Sequence, residues 1–291
     1  MKKQVKIAVL SGKGGVGKSL IASSLALLFS RSLKTLLLDC DVDAPNLSIW
    51  LNIKNWDRIK KTKNSFLPQI DYKKCKNCGK CIENCKFNAL KFEKGKLRVN
   101  KFLCEGCGVC ELVCPENAIK LKLVENGLIR FKKMNKNLYL ISGQLYPGQT
   151  GSGKIVSEIK DESLNLKFDP QLIILDLAPG TGCPVIAGLL NVDFAVLVAE
   201  PFPASFTDLK RVLQLVNYFK IKWFLVVNKW DLNQNFGEKI KRWAGNKFLG
   251  KISYNKEIFN LLARFIHPLR SNLSTKEELE KIFENLKERL K

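Results

Sequence analysis

Two groups of residues in this sequence have types and spacings that could do chemistry. Gly12-Lys-Gly-Gly-Val-Gly-Lys-Ser fits the phosphate-loop pattern G-x-x-x-x-G-K-[ST]. In such a loop the glycines let successive N–H groups point at phosphate oxygens, and the start of the following helix adds favourable partial charge. The expected nucleotide-binding segment is Gly12, Gly14, Gly15, Val16, Gly17, Lys18, Ser19 and Leu20, with Lys18 bridging the β- and γ-phosphates and Ser19 ligating Mg²⁺. The second group is cysteine: C-x₂-C-x₂-C-x₃-C occurs at Cys75, Cys78, Cys81, Cys85 and again at Cys104, Cys107, Cys110, Cys114. In this bacterial ferredoxin run, three cysteines and the distant fourth hold each [4Fe-4S] cluster. It assigns Cys75, Cys78, Cys81 and Cys114 to one cluster, and Cys85, Cys104, Cys107 and Cys110 to the other. Zinc would use paired C-x₂-C knuckles with one wide gap, and would leave cysteines over.

The elements that must position these groups can be read from hydrophobic pattern. Val5 to Leu10 is a short continuous apolar run ending at the glycine-rich turn, followed by a helical stretch from Ser19 to Arg31. Leu36 to Leu38 is a second strand ending at Asp39, which makes a βαβ start. From Asn52 to about Lys74 the composition turns to Lys, Asn and Asp, and apolar periodicity fades. Residues 75 to 122 then repeat internally at an offset of 29, as duplication of one small unit would produce. Strand character resumes at Leu138 to Ser142, and Leu172 to Leu177, Phe194 to Ala199 and Trp223 to Val227 are further buried-strand runs. The expected fold is an α/β P-loop NTPase with a mostly parallel sheet flanked by helices. It covers 1–53 and 138–291, and is interrupted at 54–137 by a small α+β ferredoxin-like insert with its core at 71–123. A capping box at Ser274 to Glu277 opens a tail helix placing Leu279, Ile282, Phe283, Leu286 and Leu290 on one face, against the sheet.

Lys13, the extra lysine early in the phosphate loop, gives the segment a K-G-G-x-G-K-[ST] form. This resembles the deviant Walker A loop of the MinD, ParA, Mrp and nitrogenase iron protein group. The resemblance implies that Lys13 reaches across a dimer to the partner's nucleotide, so the working unit is a homodimer or a heterodimer with a close paralogue. Asp39-Cys-Asp-Val-Asp-Ala-Pro-Asn-Leu resembles the acidic switch I of that group, implying Asp39 on the Mg²⁺ side and Asp41 as the water-positioning residue, while Asp43 and Asn46 read equally well as turn caps. Leu172-Ile-Ile-Leu-Asp-Leu-Ala-Pro-Gly reads as Walker B and switch II, with Asp176 for Mg²⁺ and the Gly180 N–H sensing the γ-phosphate. Ala178 departs from the group's usual Asp-x-Pro-Pro-Gly. Asn228-Lys-Trp-Asp matches a guanine-reading signature, yet an Asn at this strand end contacts adenine in the MinD-like group. The deviant loop is the more specific signal and points to ATP, with GTP left open. The order of motifs resembles MinD-superfamily ATPases with an inserted ferredoxin domain, over nearly the whole chain. Ile252-Ser-Tyr-Asn replaces that family's more usual Ile-Pro-Tyr-Asp.

Composition bounds what the chain can join. Its net charge of +22 is mostly lysine spread over every segment, which fits a solvated lysine-rich surface and names no specific nucleic acid. No apolar stretch approaches the roughly 20 residues of a membrane span, and the first residues run directly into the phosphate loop without a cleavage signal. The expected location is the cytoplasm, where clustered cysteines hold metal, and no membrane partner is expected. Lys86 stands where Pro115 stands in the second cysteine run, bringing positive charge near a cluster. Cys40 and Cys183 fall outside the runs and read as small thiols, although Cys183 follows Asp176 by the spacing of a bridging-cluster cysteine in the nitrogenase iron protein. Three functions compete: nucleotide-gated electron transfer to a metalloenzyme or maturation partner, an Fe-S or metallocofactor assembly carrier, and a MinD- or ParA-like positioning switch.

Overall fold

A computed structural model describes residues 4–290. Residues 1–3 and 291, which the sequence reading places at the two ends of the nucleotide-binding domain, lie outside the described residues. The chain divides into two compact units: one holds residues up to Ile59, Ile129–Gln144 and the chain from Ser152 onward, the other Lys60–Leu128 and Leu145–Gly151.

In chain order the first elements are β1 (Val5–Leu10), α1 (Lys18–Phe29), β2 (Thr35–Cys40), α2 (Leu47–Trp50) and β3 (Arg58–Thr62). The cysteine-rich stretch contributes β4 (Ser65–Ile70), α3 (Lys80–Glu83), β5 (Leu90–Glu93), β6 (Lys96–Val99), α4 (Val109–Leu112) and β7 (Ile119–Val124). Then come β8 (Gly127–Lys133), β9 (Leu138–Leu145), α5 (Ser152–Leu164), β10 (Leu172–Leu177), α6 (Cys183–Leu189) and β11 (Phe194–Ala199). The chain closes with α7 (Pro203–Tyr218), β12 (Lys222–Asn228), α8 (Gln234–Ala244), β13 (Phe248–Ile252), α9 (Glu257–Ala263) and α10 (Ser274–Arg289).

Nine strands form one sheet in the order β13-β12-β11-β1-β10-β2-β9-β8-β3. From β13 to β9 every pairing is parallel. All six residues of β2 and of β10 are buried, as central parallel strands covered on both faces require. Register decides the site: β1 lies beside β10, Asp176 stands opposite Asp39, and Asp39 stands opposite Ser142. Three chain segments thus end side by side at the carboxyl edge of the sheet, where open α/β sheets bind ligands.

Two sequence expectations change. The sheet takes in β8 and β3, although the reading gave 54–137 to the insert; β3 is lysine-rich and suits the sheet edge, whereas β8 lies inside the sheet and alternates, burying Ile129 and Phe131. The capping box does not form either: Ser274 is already helical, Leu273 occupies the cap, and no side-chain cap bond is made. Glu278, one residue further, accepts instead from the Ser253 N–H and hydroxyl. The tail helix still buries Leu279, Ile282, Phe283 and Leu286, with Leu290 partly buried. Phe283 meets Phe29 edge-on at 4.8 Å between ring centroids. Each such side chain contributes about 1.5–3 kcal/mol of burial.

In the smaller unit, β4 pairs antiparallel with β7, and β5 with β6. The repeat is visible in the backbone. Asp71 N–H donates to Ala118 O at 2.7 Å, and Asn100 N–H donates to Ala89 O at the same distance, each donor and each acceptor 29 residues from its counterpart. Gly79 and Gly108 take φ of 81° and 85° as they lead into the short helices α3 and α4, a conformation that favours glycine. Buried Asn126 ties the 145–151 segment to this unit. Its side chain accepts from Thr62 Oγ1 and donates to Thr150 O, and its carbonyl accepts from Tyr146 N–H.

Candidate functional sites

The phosphate loop runs from the end of β1 to the start of α1. Lys18 is buried, and its Nζ lies 3.3 Å from both Asp41 Oδ2 and Asp176 Oδ1. Burial alone would lower the pKa of this ammonium, but Asp176 and Asp41 outweigh it and hold the value above the ordinary lysine range. Asp176 and Asp39 are each pushed up, chiefly by burial; Lys18 and a Ser19 hydrogen bond oppose this at Asp176, and the Asp176 charge adds to it at Asp39. Asp39 Oδ2 accepts from Leu47 N–H and Ser142 Oγ, so this carboxylate also holds the start of α2. Asp39 Oδ1 and Asp176 Oδ2 are buried and without hydrogen-bond partners among the described residues. The two orphaned carboxylate oxygens, with the Ser19 hydroxyl hydrogen-bonded at Asp176, supply hard-oxygen donors of the kind that fits Mg²⁺.

Gly17 has φ of 96°, and a Cβ there would lie 2.2 Å from Asn228 Nδ2. The Asn228 amide donates to Val16 O at 2.8 Å, bracing the loop from beneath. Gly180, at φ of 84°, donates its N–H to Ser11 O at 2.9 Å, which ties the switch II turn to the strand before the loop. Lys13 ion-pairs within its own chain, its Nζ 2.8 Å from Glu200 Oε2. Lys229 Nζ reaches the other Glu200 oxygen at 2.5 Å and Gly15 O at 3.2 Å. Burial would raise the Glu200 pKa, yet these two lysines hold it below the ordinary carboxylate range.

Beside the loop lies a hollow of about 500 Å³ whose wall includes Gly17, Trp50, Asn228, Tyr254 and Phe259. Its flat aromatic lining and amide suit a nucleotide base. Asp231, the acid of the guanine-reading signature, accepts from Tyr254 N–H and is not part of that wall. Sequence reasoning missed Glu200, Lys229, Trp50 and Phe259. Lys229 is the lysine of the Asn228-Lys-Trp-Asp pattern, whose Asn and Asp alone were given roles; Glu200, Trp50 and Phe259 belong to no spaced pattern, and only the aromatic content near the Ser253-Tyr254-Asn255 turn offered a signal.

The cysteines form two separate groups in the smaller unit. Cys75, Cys78, Cys81 and Cys114 line one hollow of about 350 Å³; Cys85, Cys104, Cys107 and Cys110 line another of about 360 Å³. Each fourth thiol accepts a backbone N–H from the residue four ahead: Ala89 to Cys85 Sγ at 3.4 Å, and Ala118 to Cys114 Sγ at 3.3 Å. Among the described residues, no three His, Cys, Asp or Glu side chains converge as ligands of a single ion would. A cubane spreads its four thiolates over four irons and holds them further apart, so the donor chemistry and the hollows fit [4Fe-4S]. Cys40 is fully buried with its thiol pKa pushed far up, chiefly by burial, and Cys183 is exposed at the start of α6.

Sheet topology and phosphate loop together define a P-loop protein of the α/β class. The chain belongs to the CobQ/CobB/MinD/ParA nucleotide binding domain family, whose model matches residues 7–269. Membership implies nucleotide hydrolysis. Protein MJ0578 of Methanocaldococcus jannaschii is 38% identical over 285 residues, spanning 98% of this chain and 97% of that protein. Protein MJ0579 of the same organism is 33% identical over 80% of this chain and 83% of its own length. An iron-sulfur cluster carrier protein of Pyrococcus furiosus is 23% identical, covering 85% of this chain and 73% of the carrier. Among solved structures, the septum site-determining protein MinD of Pyrococcus horikoshii, complexed with Mg-ADP, shares the fold at a TM-score of 0.61 and 15% identity, covering 99% of this chain and 98% of that one. Among the described residues, no helix is long and apolar enough to cross a membrane.

Proposed function

We propose that this protein is an ATP-hydrolysing iron-sulfur protein whose smaller unit carries two [4Fe-4S] clusters, and that nucleotide state times electron delivery to a metalloenzyme or maturation partner. The observation that carries the reading is the cysteine arrangement. Each hollow is lined by three thiols of one run and the fourth thiol of the other, on a chain whose larger unit holds a phosphate loop. Cys75, Cys78, Cys81 and Cys114 hold one cluster; Cys85, Cys104, Cys107 and Cys110 hold the other. When bound, the clusters supply one-electron exchange at low potential.

The chain's own residues supply the gate. Lys18 trades its carboxylate partners for phosphate oxygens. Asp39, Asp176 and Ser19 take Mg²⁺, Asp41 orients the attacking water, and the Gly180 N–H senses the γ-phosphate. Asp39 is bonded to Ser142 on β9, three residues before the chain passes at Leu145 into the smaller unit, so movement of this carboxylate pulls on a direct covalent connection. Lys13 leaves Glu200 to act on the nucleotide of a second subunit, in a homodimer or with a close paralogue. The enzyme works in the cytoplasm on ATP rather than GTP, a preference that Asp231's bond to Tyr254 supports.

The test is anaerobic reconstitution followed by single-turnover electron transfer to a viologen-type acceptor, with and without MgATP. About eight irons and eight sulfides per chain are expected, together with a transfer rate that changes with MgATP in the wild type and not in Lys18→Ala. A rate indifferent to nucleotide in both proteins defeats the gating reading.

A second reading has its own support in the cluster carrier of Pyrococcus furiosus. In that reading the clusters are delivered rather than cycled. Loss of iron from the donor to an apo-acceptor on hydrolysis distinguishes it, since a gated electron carrier keeps its iron through many turnovers.

A further inference from the structure

The two halves of the internal repeat keep their cysteines but not their surroundings. At an offset of 29, Lys73, Lys74, Lys76 and Lys80 of the first half become Phe102, Leu103, Glu105 and Val109 in the second. All four lysines are exposed. Lys76 and Lys80 stand in the wall of the Cys75, Cys78, Cys81 and Cys114 hollow, whereas no lysine stands in the wall of the other. Lys73 and Lys74 line an adjoining open hollow of about 1030 Å³ together with Lys120 and Lys122 from β7. Two lysines therefore stand in the wall of one redox site, and four more line the hollow built by the chain segments next to it, Lys120 and Lys122 on the face of β7 opposite Ile119. Three meet acids of their own unit: Lys76 with Glu116 at 3.0 Å, Lys120 with Glu111 at 3.1 Å and Lys74 with Asp71 at 3.8 Å. Lys73, Lys80 and Lys122 have no acidic partner among the described residues. Cys78, one of the ligands at this site, is itself exposed.

We infer that this lysine face is the docking site of a small acidic electron-carrier protein, which exchanges one electron with the site at Cys75, Cys78, Cys81 and Cys114; the inference rests on the cluster reading above. Charge selects the occupant. Lysine heads are compact, strongly hydrated cations that favour transient, steered encounters over fixed bidentate pairing, as a carrier that must leave after each electron requires. The same face of a second copy presents the same lysines and offers no complementary charge, so this surface does not pair with itself. Nucleic acid is the poorer occupant: no arginine stands among the six, and the one aromatic ring of the hollow, Tyr72, is tied to Leu97 O with Lys96 over its face, leaving it unsuited to base stacking. The step balances as a single electron: the carrier is oxidised by one, the site is reduced by one, and no bond to protein forms or breaks.

The experiment uses the full reconstituted chain and photoreduced acidic flavodoxin, mixed in stopped flow at rising salt. The bimolecular rate is expected to fall about tenfold between low and moderate ionic strength. The triple variant K73E/K80E/K122E is expected to lose about tenfold at low salt, while the extent of its reduction by excess dithionite is unchanged. Reversing three exposed lysines of the larger unit (K210E/K239E/K281E) matches the change in net charge and is expected to have much the smaller effect. A salt-independent rate, or equal losses in the two triple variants, overturns the docking face. So does a K73E/K80E/K122E loss that appears only in binding of a single-stranded oligonucleotide. Iron content separates the two failures: a chain that retains no iron overturns the cluster reading and this inference together, whereas a chain bleached by dithionite but indifferent to the lysines overturns this inference alone.

Discussion

The two units reach order by different means. The nucleotide-binding unit buries a continuous apolar core between sheet and helices, and its site is a loop and three carboxylates supported by that core. The smaller unit's cluster of buried residues is Cys81, Leu90, Leu97 and Ile119, and the side chains packed on it include Cys75, Cys85, Cys110 and Cys114. Five of the twelve side chains in that small core are cysteines. In the first unit the fold makes the site; on the proposed cluster reading the second works the other way, since so small an apolar core does not offset the chain entropy of its own ordering.

That contrast is broken or upheld most directly by removing iron. Chelation under anaerobic conditions is expected to strip backbone protection from residues 65–124 in hydrogen exchange while β1, β2 and β10 stay protected. If the cysteine unit remains as protected as before, its apolar residues suffice and the comparison fails. The reciprocal change is Lys18→Ala, which removes the cation held between Asp41 and Asp176. Hydrolysis is expected to fall by at least about 100-fold with iron content and visible absorbance unchanged. Loss of clusters in this variant would mean that the two sites are not separately assembled.

How much of this was legible in the sequence follows the same division. Wherever chemistry demands fixed spacing, as at Gly12 to Ser19 or in each cysteine run, the residue order already names the site. Wherever it demands only a shape or a charge, pattern is silent. Glu200 is brought to Lys13 by the turn after β11, and Trp50 enters the base hollow from a four-residue helix whose start is held by Asp39. Strand β3 escapes pattern because a lysine-rich edge strand looks like linker, while β8 carries only a short alternation, Ile129 and Phe131, next to the cysteine-rich stretch. The capping box was over-read: Ser274 to Glu277 has the spacing, but the helix begins one residue earlier than that motif requires. Asn126 bonds to three residues, Thr62, Asn64 and Thr150, in the two chain segments of the smaller unit, and nothing in its flanking sequence announces it.

Two glycine substitutions sharpen the comparison at smaller cost. Gly17→Ala places a Cβ against Asn228 in a left-handed backbone, and Gly106→Ala places one 2.5 Å from Phe66 O at φ of 64°. Each is expected to destabilise its own unit by about 1–3 kcal/mol. The first should weaken nucleotide binding, and the second should reduce iron retention while leaving hydrolysis intact. Titration calorimetry with nucleotide and iron content after gel filtration read the two effects.

The most local expected effect is a response to acid confined to one unit. The chain's one histidine, His267, is buried in the nucleotide-binding unit, with Nε2 3.0 Å from Ser23 Oγ and Nδ1 accepting from Leu269 N–H at 3.2 Å. An Nδ1 that accepts carries no proton, so the ring is neutral, and charging it would turn that nitrogen's proton against the Leu269 N–H. Burial, with Arg270 nearby, lowers its pKa from 6.5 to about 4. The unfolded chain therefore takes up a proton that the folded one refuses. Stability from this group is complete above pH 6.5 and is lost as pH falls toward 4, a total of about 3 kcal/mol. Buried Asp39 and Asp176 act in the opposite direction, since their raised pKa values favour proton uptake in the folded state. The His267 contribution is therefore read as a difference between wild type and His267→Gln in chemical denaturation at pH 7 and pH 4.5. The wild type is expected to lose the larger share of its stability, with hydrogen exchange placing the loss at α1 and the His267 turn and none of it in the cysteine unit. Parallel losses in the two proteins would remove His267 as the origin and leave the acid response to the carboxylates.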